Sequence, residues 1–218
     1  MRVRKKKNGA ARIAACSELL IESPELLRGG FDGIFPEDKP VHLEIGCGKG
    51  NFACGMAKKH PEFNFVALEK VSDVCCVALE KAKGSADGRE GDNLRFMITD
   101  AAMLADNLPA HSIDCIYLNF SDPWPKSGHA KRRLTHRRFL EIYKKLLKED
   151  GILKFKTDNV GLFDFSIEEF EEFGTETLFF TRDLHSEECA ADNVMTEYEK
   201  NFSEKGFKIC SAWIKFKN

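Results

Sequence analysis

The chain has 218 residues and a mass of 24.7 kDa, and 43% of its residues are hydrophobic. This size and composition predict one large folded domain and exclude general disorder. No apolar run approaches the roughly 18 residues that a membrane span needs, and no apolar stretch follows the charged start as in an export signal. The eight cysteines and six histidines have neither CxxC nor HxxH spacing. We therefore expect a cytoplasmic protein with free thiols and no metal site.

The net charge of −2 conceals a strong segregation of charge along the chain. Residues 1–12 and 126–148 together carry fifteen basic residues and one acid, leaving eighteen basic and thirty-four acidic residues elsewhere. Such basic segments are typical of proteins that bind a polyanion. A solvated helix face preceded by a basic tail would produce the same pattern, so charge alone leaves both interpretations open.

Residues 1–39 form a basic arm and an irregular lead-in, because prolines and a glycine pair interrupt any pattern. From residue 40 apolar strand patterns alternate with helical ones. The predicted strands are Val41–Ile45, Phe63–Leu68, Leu94–Ile98, Ile113–Phe120, Gly151–Thr157, Thr175–Thr181 and Phe207–Phe216. The predicted helices are Asn51–His60, Val71–Lys83, Thr135–Lys148, Gly161–Phe173 and Thr196–Glu204.

This alternation predicts an α/β fold with a seven-stranded, mostly parallel sheet and helices on both faces. One domain would span residues 40–218. Ligands of such sheets bind at the carboxyl ends of the strands, where the strand order reverses. The loops that follow the strands are therefore the places to search for chemistry.

The first of these loops, Glu44-Ile-Gly-Cys-Gly-Lys-Gly, indicates a nucleotide-like cofactor. A P-loop would need a hydroxyl residue after the lysine, and a dinucleotide fingerprint would need a third glycine where Asn51 stands. The pattern in which an acid, Glu44, stands two residues before Gly46 and Gly48 follows is instead typical of Rossmann-like class I methyltransferases. Their cofactor, S-adenosylmethionine, carries an ammonium that Glu44 would suit. A glycine turn that only joins strand to helix is the structural alternative.

Two further acids follow the second and third strands. Glu69 stands 23 residues after Gly46, where an acid binds the ribose hydroxyls of a nucleoside. Asp100 is placed to accept a hydrogen bond from an adenine amino group, or else to cap the helix that follows. Three such loops in register favour a methyltransferase.

The fourth loop, Ser-Asp122-Pro-Trp-Pro-Lys126, is stiffened by its prolines. A basic run that suits phosphates follows it: Lys131, Arg132 and Arg133. Together with LEIGCGKG, FKTDN and TEYE, these motifs resemble the tRNA (guanine-N7)-methyltransferases, bacterial enzymes that methylate a guanosine in the tRNA variable loop. The resemblance extends from about Val41 to the C-terminus, although Ser127–Ala130 stand where members often have basic residues.

The resemblance implies roles for individual residues. Those that would surround S-adenosylmethionine are Glu44, Gly46, Gly48, Glu69, Asp100 and Asp122, with Asp122 catalytic. Those that would bind the target guanosine are Lys126, Asp158, Thr196, Glu197, Tyr198 and Glu199. Thr196 and Glu199 also form a capping-box pattern for the helix that they begin, and this role is compatible with binding.

The expected chemistry agrees with these residue types. Guanine N7 has a free lone pair and no proton to lose, so the reaction needs placement rather than a general base. Carboxylates would stabilise the cationic product, and Lys126 would reach O6. Asp158, Glu197 or Glu199 would accept from the Watson–Crick edge.

We expect a monomer or homodimer that uses tRNA as substrate without an obligatory partner subunit. Two alternatives remain open. One is a methyltransferase that acts on another RNA, a protein or a small molecule. The other is a noncatalytic RNA-binding module with the same fold.

Overall fold

The computed structural model describes residues 7–85 and 92–217. Its strands are β1 (Leu20–Ile21), β2 (Val41–Ile45), β3 (Asn64–Leu68), β4 (Leu94–Met97), β5 (Ile113–Asn119), β6 (Leu147–Thr157), β7 (Glu176–Thr181) and β8 (Cys210–Lys215). Its α-helices are α1 (Gly9–Ala14), α2 (Asn51–Lys59), α3 (Ser72–Ser85), α4 (Leu104–Asn107), α5 (Arg137–Leu146), α6 (Val160–Phe173) and α7 (Glu197–Ser203). Short 3₁₀ turns lie in several connections.

The strands form one sheet in the order β1-β4-β3-β2-β5-β6-β8-β7. All neighbours are parallel except that β8 runs antiparallel to both β6 and β7. The chain builds outward from β2 in one direction through β3 and β4, and in the other through β5 and β6. The order therefore reverses between β2 and β5, and their carboxyl ends are where a ligand of this fold binds.

The sheet has eight strands rather than the predicted seven. The additional strand, β1, lies in the lead-in that the sequence predicts to be irregular, and Leu20 and Ile21 pair in parallel with Phe96 and Met97 of β4. Two residues are too few to produce a recognisable alternation, so the sequence pattern could not reveal this strand. Ile21 and Leu27 are buried in the core. The domain boundary at residue 40 stays a prediction, and residues 1–6 of the basic arm lie outside the described residues.

Alternate residues of the strands point to two hydrophobic clusters on opposite faces of the sheet. On β3, Phe65 and Ala67 pack with α2 and α3, whereas Val66 and Leu68 pack with the cluster that includes α4, α5 and α6. The apolar face of α5 is buried through Phe139, Leu140, Tyr143 and Leu146. In the part of the chain described, no helix is long and apolar enough to cross a membrane, and no cluster of His, Cys, Asp and Glu is arranged to hold a metal.

Candidate active site

The glycine loop after β2 contains two kinds of glycine. Gly46, Gly48 and Gly50 all have positive φ angles, of 82°, 57° and 76°. A Cβ atom on Gly46 or Gly48 would meet nothing within 4 Å, whereas one on Gly50 would lie 2.8 Å from the Cβ atom of Ala78. Gly50 thus permits α2 and α3 to pack closely, while the first two glycines border open space that a ligand can fill.

Glu44 lies at the point where the strand order reverses. Its side chain is 3% exposed, and its Oε1 atom accepts a hydrogen bond of 2.9 Å from the amide of Asn119 at the end of β5. Its Oε2 atom is buried and has no hydrogen-bond partner among the described residues. Burial raises the pKa of Glu44 to about 7. A cationic group placed beside Oε2 would satisfy the carboxylate and favour its charged form.

Glu69 and Asp100 lie where the sequence places them, at the ends of β3 and β4. Each oxygen of Glu69 accepts one backbone hydrogen bond, from Gly48 at 3.1 Å and from Val71 at 2.9 Å. These bonds tie the second loop to the glycine loop and leave lone pairs for a further donor. Asp100 is exposed, and its Oδ1 atom caps a 3₁₀ turn by accepting from Ala102 at 2.9 Å. Its predicted capping role is therefore confirmed.

Two adjoining cavities collect most of the predicted site residues. A cavity of about 470 Å³ is lined on its polar side by Glu69, Asp100, Asp122, Lys131 and Arg132. A second, of about 440 Å³, is lined by residues that include Glu44, Gly48, Thr196, Glu197 and Tyr198. Gly46 and Phe120 belong to the walls of both cavities. The fold thus brings the cofactor-type residues and the start of the TEYE run to one continuous cleft.

Lys126 and Asp158 are not lining residues of either cavity. Lys126 is exposed on the loop after β5, and Asp158 is half-buried after β6. Burial raises the pKa of Asp158. Burial also raises the pKa of Tyr198, and the charge of Asp158 raises it further. Asp158 is therefore close enough to the rim of the cleft to influence it electrostatically. The predicted contacts of Lys126 and Asp158 with a guanosine stay predictions.

Glu199 does not face the cleft. Its side chain is fully buried, and its oxygens accept from Lys156 at 2.6 Å, His185 at 2.9 Å and Asn193 at 2.6 Å. It also completes the capping box with Thr196. Its carboxylate thus anchors α7 to the sheet, and the predicted contact between Glu199 and guanosine stays a prediction.

Arg133 also differs from its predicted role as a phosphate ligand. Its Nε and Nη2 atoms donate to the carbonyl oxygens of Pro123 and Trp124, at 3.0 and 3.1 Å. Lys131 and Arg132 are exposed, and the guanidinium of Arg132 lies 4.9 Å from the Trp124 ring centroid. Of the three predicted RNA contacts, Lys131 and Arg132 therefore keep an accessible charge beside the cleft.

Comparison with known proteins places this chain in a family. A family model described as "Putative methyltransferase" matches residues 38–212. The tRNA (guanine-N(7)-)-methyltransferase of Lactococcus lactis subsp. cremoris (strain SK11) is 43% identical over 219 residues, covering 99% of this chain and 98% of that one. The enzyme of the same name from Listeria monocytogenes serotype 4b (strain F2365) is 43% identical, covering 99% of each chain.

The chain belongs to the tRNA (guanine-N(7)-)-methyltransferase family. The family resemblance stated from the motifs is thereby confirmed. Solved structures support the fold at low identity. The 16S rRNA methyltransferase KamB matches with a TM-score of 0.61 at 14% identity, covering 100% of this chain and 97% of that one. A SAM-dependent methyltransferase from Aquifex aeolicus matches with a TM-score of 0.56 at 13% identity, covering 97% and 100%.

Sequence reasoning missed two residues that shape the methyltransferase site. Asn119 holds one oxygen of Glu44, and the buried ammonium of Lys156 holds Glu199. Asn119 is the next-to-last residue of a predicted apolar strand, and a polar residue at that position was the available signal. Lys156 is a charged residue within the otherwise buried end of β6, which is a second such signal.

Proposed function

We propose that the protein transfers a methyl group from S-adenosylmethionine to N7 of a guanosine in the tRNA variable loop. The observation that carries the proposal is the cleft at the reversal point, where Glu44 has an unsatisfied buried oxygen and Gly46 and Gly48 border open space. Asp122 lies on the wall of the same cleft. The names of the relatives supply the substrate class, and the resemblance supplies the variable loop.

The described residues fit the proposed cofactor. Glu44 offers an oxygen without a partner to the cofactor's ammonium, and Glu69 offers remaining lone pairs to ribose hydroxyls. Asp100 lies farther along the same cavity, where it can accept from an adenine amino group. When bound, S-adenosylmethionine supplies an electrophilic methyl group on a cationic sulfur.

The residues of this chain then place and stabilise the guanine. N7 needs no general base, so Asp122 acts by charge, favouring the cationic ring that forms on methylation. Glu197 lines the cleft and accepts from Lys49 at 3.1 Å, and its carboxylate can accept from the guanine's N–H groups. Tyr198 is 46% exposed and offers its ring for stacking against the base. Lys126 and Asp158 complete the recognition of O6 and the Watson–Crick edge.

The tRNA backbone binds to the basic rim of the cleft. Lys131 and Arg132 are two of the four exposed basic residues that line the cavity with Asp122; the others are Lys70 and Arg138. Phosphate contacts release counterions, so tRNA affinity falls steeply as salt is added. We propose that the enzyme works as a monomer or homodimer, without an obligatory partner subunit.

The test uses the purified full chain, an unmodified tRNA transcript and S-adenosylmethionine with a labelled methyl group. The expected result is label in the tRNA, followed by chain cleavage at one variable-loop guanosine after borohydride and aniline treatment, which is specific for 7-methylguanosine. Asp122→Ala should remain folded and transfer no label. Label without cleavage would overturn the assignment to N7, and label in the Asp122→Ala reaction would overturn the role of Asp122.

A further inference from the structure

We propose that Arg133 is a positioning residue that holds the loop carrying Asp122, and that it controls the rate of methyl transfer rather than the affinity for tRNA. This inference rests on the proposed function, because Asp122 is the residue whose placement matters. It separates Arg133 from Lys131 and Arg132, which are indistinguishable from it in the sequence. It is supported by the left-handed backbone of the loop and by the loop carbonyls to which the Arg133 guanidinium donates.

The loop after β5 has an unusual backbone on both sides of Asp122. Phe120 has a φ angle of 51° and Trp124 one of 41°, in the left-handed region that side chains other than glycine rarely adopt. Such conformations persist only where neighbouring structure holds them. On the strand side, the backbone N–H of Phe120 donates to the carbonyl of Lys156 at 2.9 Å. The other side of the loop requires a second support.

Arg133 provides that support. Its guanidinium donates to the carbonyls of Pro123 and Trp124, the two residues that follow Asp122, at 3.0 and 3.1 Å. Its opposite side is held by α6, because its central carbon lies 4.2 Å from the ring centroid of Phe165. A planar guanidinium can donate two hydrogen bonds in a fixed fork while it stacks on a ring, and a lysine ammonium cannot. Arg133 thus links the two carbonyls that directly follow Asp122 to a rigid helix.

Arg137, four residues further along the chain at the start of α5, provides a matched control. It forms ion pairs with Glu169 and Glu172 of α6 and is not a lining residue of the cleft. Its loss removes a link between α5 and α6 without releasing the Asp122 loop. Lys131 is the second control, because it is exposed beside the cavity and suits a phosphate.

The experiment compares Arg133→Ala, Arg133→Lys, Arg137→Ala and Lys131→Ala in single-turnover methyl transfer and in tRNA binding at several salt concentrations. We expect Arg133→Ala to lower the transfer rate about 100-fold, the scale of a displacement of about 1 Å in an active site. Its tRNA affinity and salt dependence should match those of the wild type. Arg133→Lys should remain slow, and added ethylguanidinium should restore part of the Arg133→Ala rate. Lys131→Ala should weaken tRNA binding with a shallower salt dependence, and Arg137→Ala should lower only the unfolding temperature.

A second measurement follows the loop without activity. Trp124 and Trp213 are the two tryptophans of the chain, so a Trp213→Phe background isolates the fluorescence of Trp124. Adding Arg133→Lys to that background should shift the Trp124 emission. An unchanged emission, or a wild-type transfer rate in both Arg133 variants, would overturn the inference. If the wild-type enzyme itself transfers no methyl group to tRNA, the proposed function fails, and the fluorescence comparison still decides whether Arg133 holds the loop.

Discussion

The amide of Asn119 donates to one oxygen of Glu44 at 2.9 Å, across the point where the strand order reverses. The other oxygen of Glu44 is buried and unsatisfied among the described residues. The hydrogen bond fixes the orientation of the carboxylate and therefore the position of the oxygen without a partner. This pair supports the proposal that the cleft binds a cationic group.

The raised pKa of Glu44 predicts that cofactor binding depends on pH. The carboxyl has a pKa of about 7 in the ligand-free protein, and a bound ammonium favours its charged form. Affinity for S-adenosylmethionine should therefore rise with pH and fall about tenfold for each pH unit below 7. Calorimetry in buffers of different ionisation enthalpy should detect a proton released on binding. Glu44→Gln should bind more weakly and without this dependence, and equal proton release by wild type and variant would contradict the assignment.

The two kinds of glycine predict different outcomes for the same substitution. Gly48→Ala places a Cβ atom in open space and costs about 1–2 kcal/mol for its positive φ angle, so the protein should fold but bind S-adenosylmethionine weakly. Gly50→Ala carries a similar backbone cost and also forces a Cβ atom against Ala78, adding about 1–3 kcal/mol. Thermal unfolding and cofactor titration of both variants check this. Equal losses of stability would show that the close approach to Ala78 is unimportant.

The buried ion pair of Lys156 and Glu199 predicts strong coupling between two substitutions. The side chains are 7% and 0% exposed, and removing one partner strands a charge in the core. Lys156→Met or Glu199→Gln should each destabilise the protein by about 3–5 kcal/mol, and the double variant should lose much less than their sum. The surface pair of Arg182 and Asp164 is the control, with an expected coupling below about 1 kcal/mol. Chemical unfolding of the single and double variants measures the coupling energy of each pair. Additive losses of stability at Lys156 and Glu199 would contradict this prediction.

Much of the fold could be predicted from the sequence, because β2, β3 and β5 are apolar runs that end in the residues of the site. The roles of Arg133 and Glu199 could not be predicted, because a basic run or an acidic motif does not reveal which of its side chains forms contacts inside the protein. Arg133 contacts carbonyls about ten residues earlier in the chain, and Glu199 of α7 contacts Lys156 of β6. Both contacts arise from the tertiary structure. The two-residue β1 was missed because it is too short to have a period.

Buried His42 predicts a loss of stability in acid. Burial lowers its pKa to about 4, while its ring stacks on Phe63 and its Nδ1 atom lies 3.0 Å from the hydroxyl of Tyr117. The unfolded chain binds a proton near the ordinary pKa of 6.5, so this group favours unfolding as pH falls from 6.5 towards 4. The effect amounts to about 3 kcal/mol over that range.

His42→Gln should be less stable than the wild type at neutral pH, because it loses the ring stacking. The difference between the two proteins should shrink steadily on acidification. Urea unfolding at several pH values measures it. A difference that stays constant from pH 6.5 to pH 4 would contradict the neutral, buried state of His42.

Methyl transfer to guanine N7 can be tested with a tRNA in which a single atom of the target base is altered. A transcript that carries 7-deazaguanosine at the cleaved position keeps O6 and the Watson–Crick edge but has carbon in place of N7. We expect the enzyme to bind this transcript as tightly as the ordinary one, to methylate the ordinary one, and to transfer no methyl group to the altered one. Methylation of the 7-deazaguanosine transcript at the same rate as the ordinary transcript would contradict methyl transfer to N7.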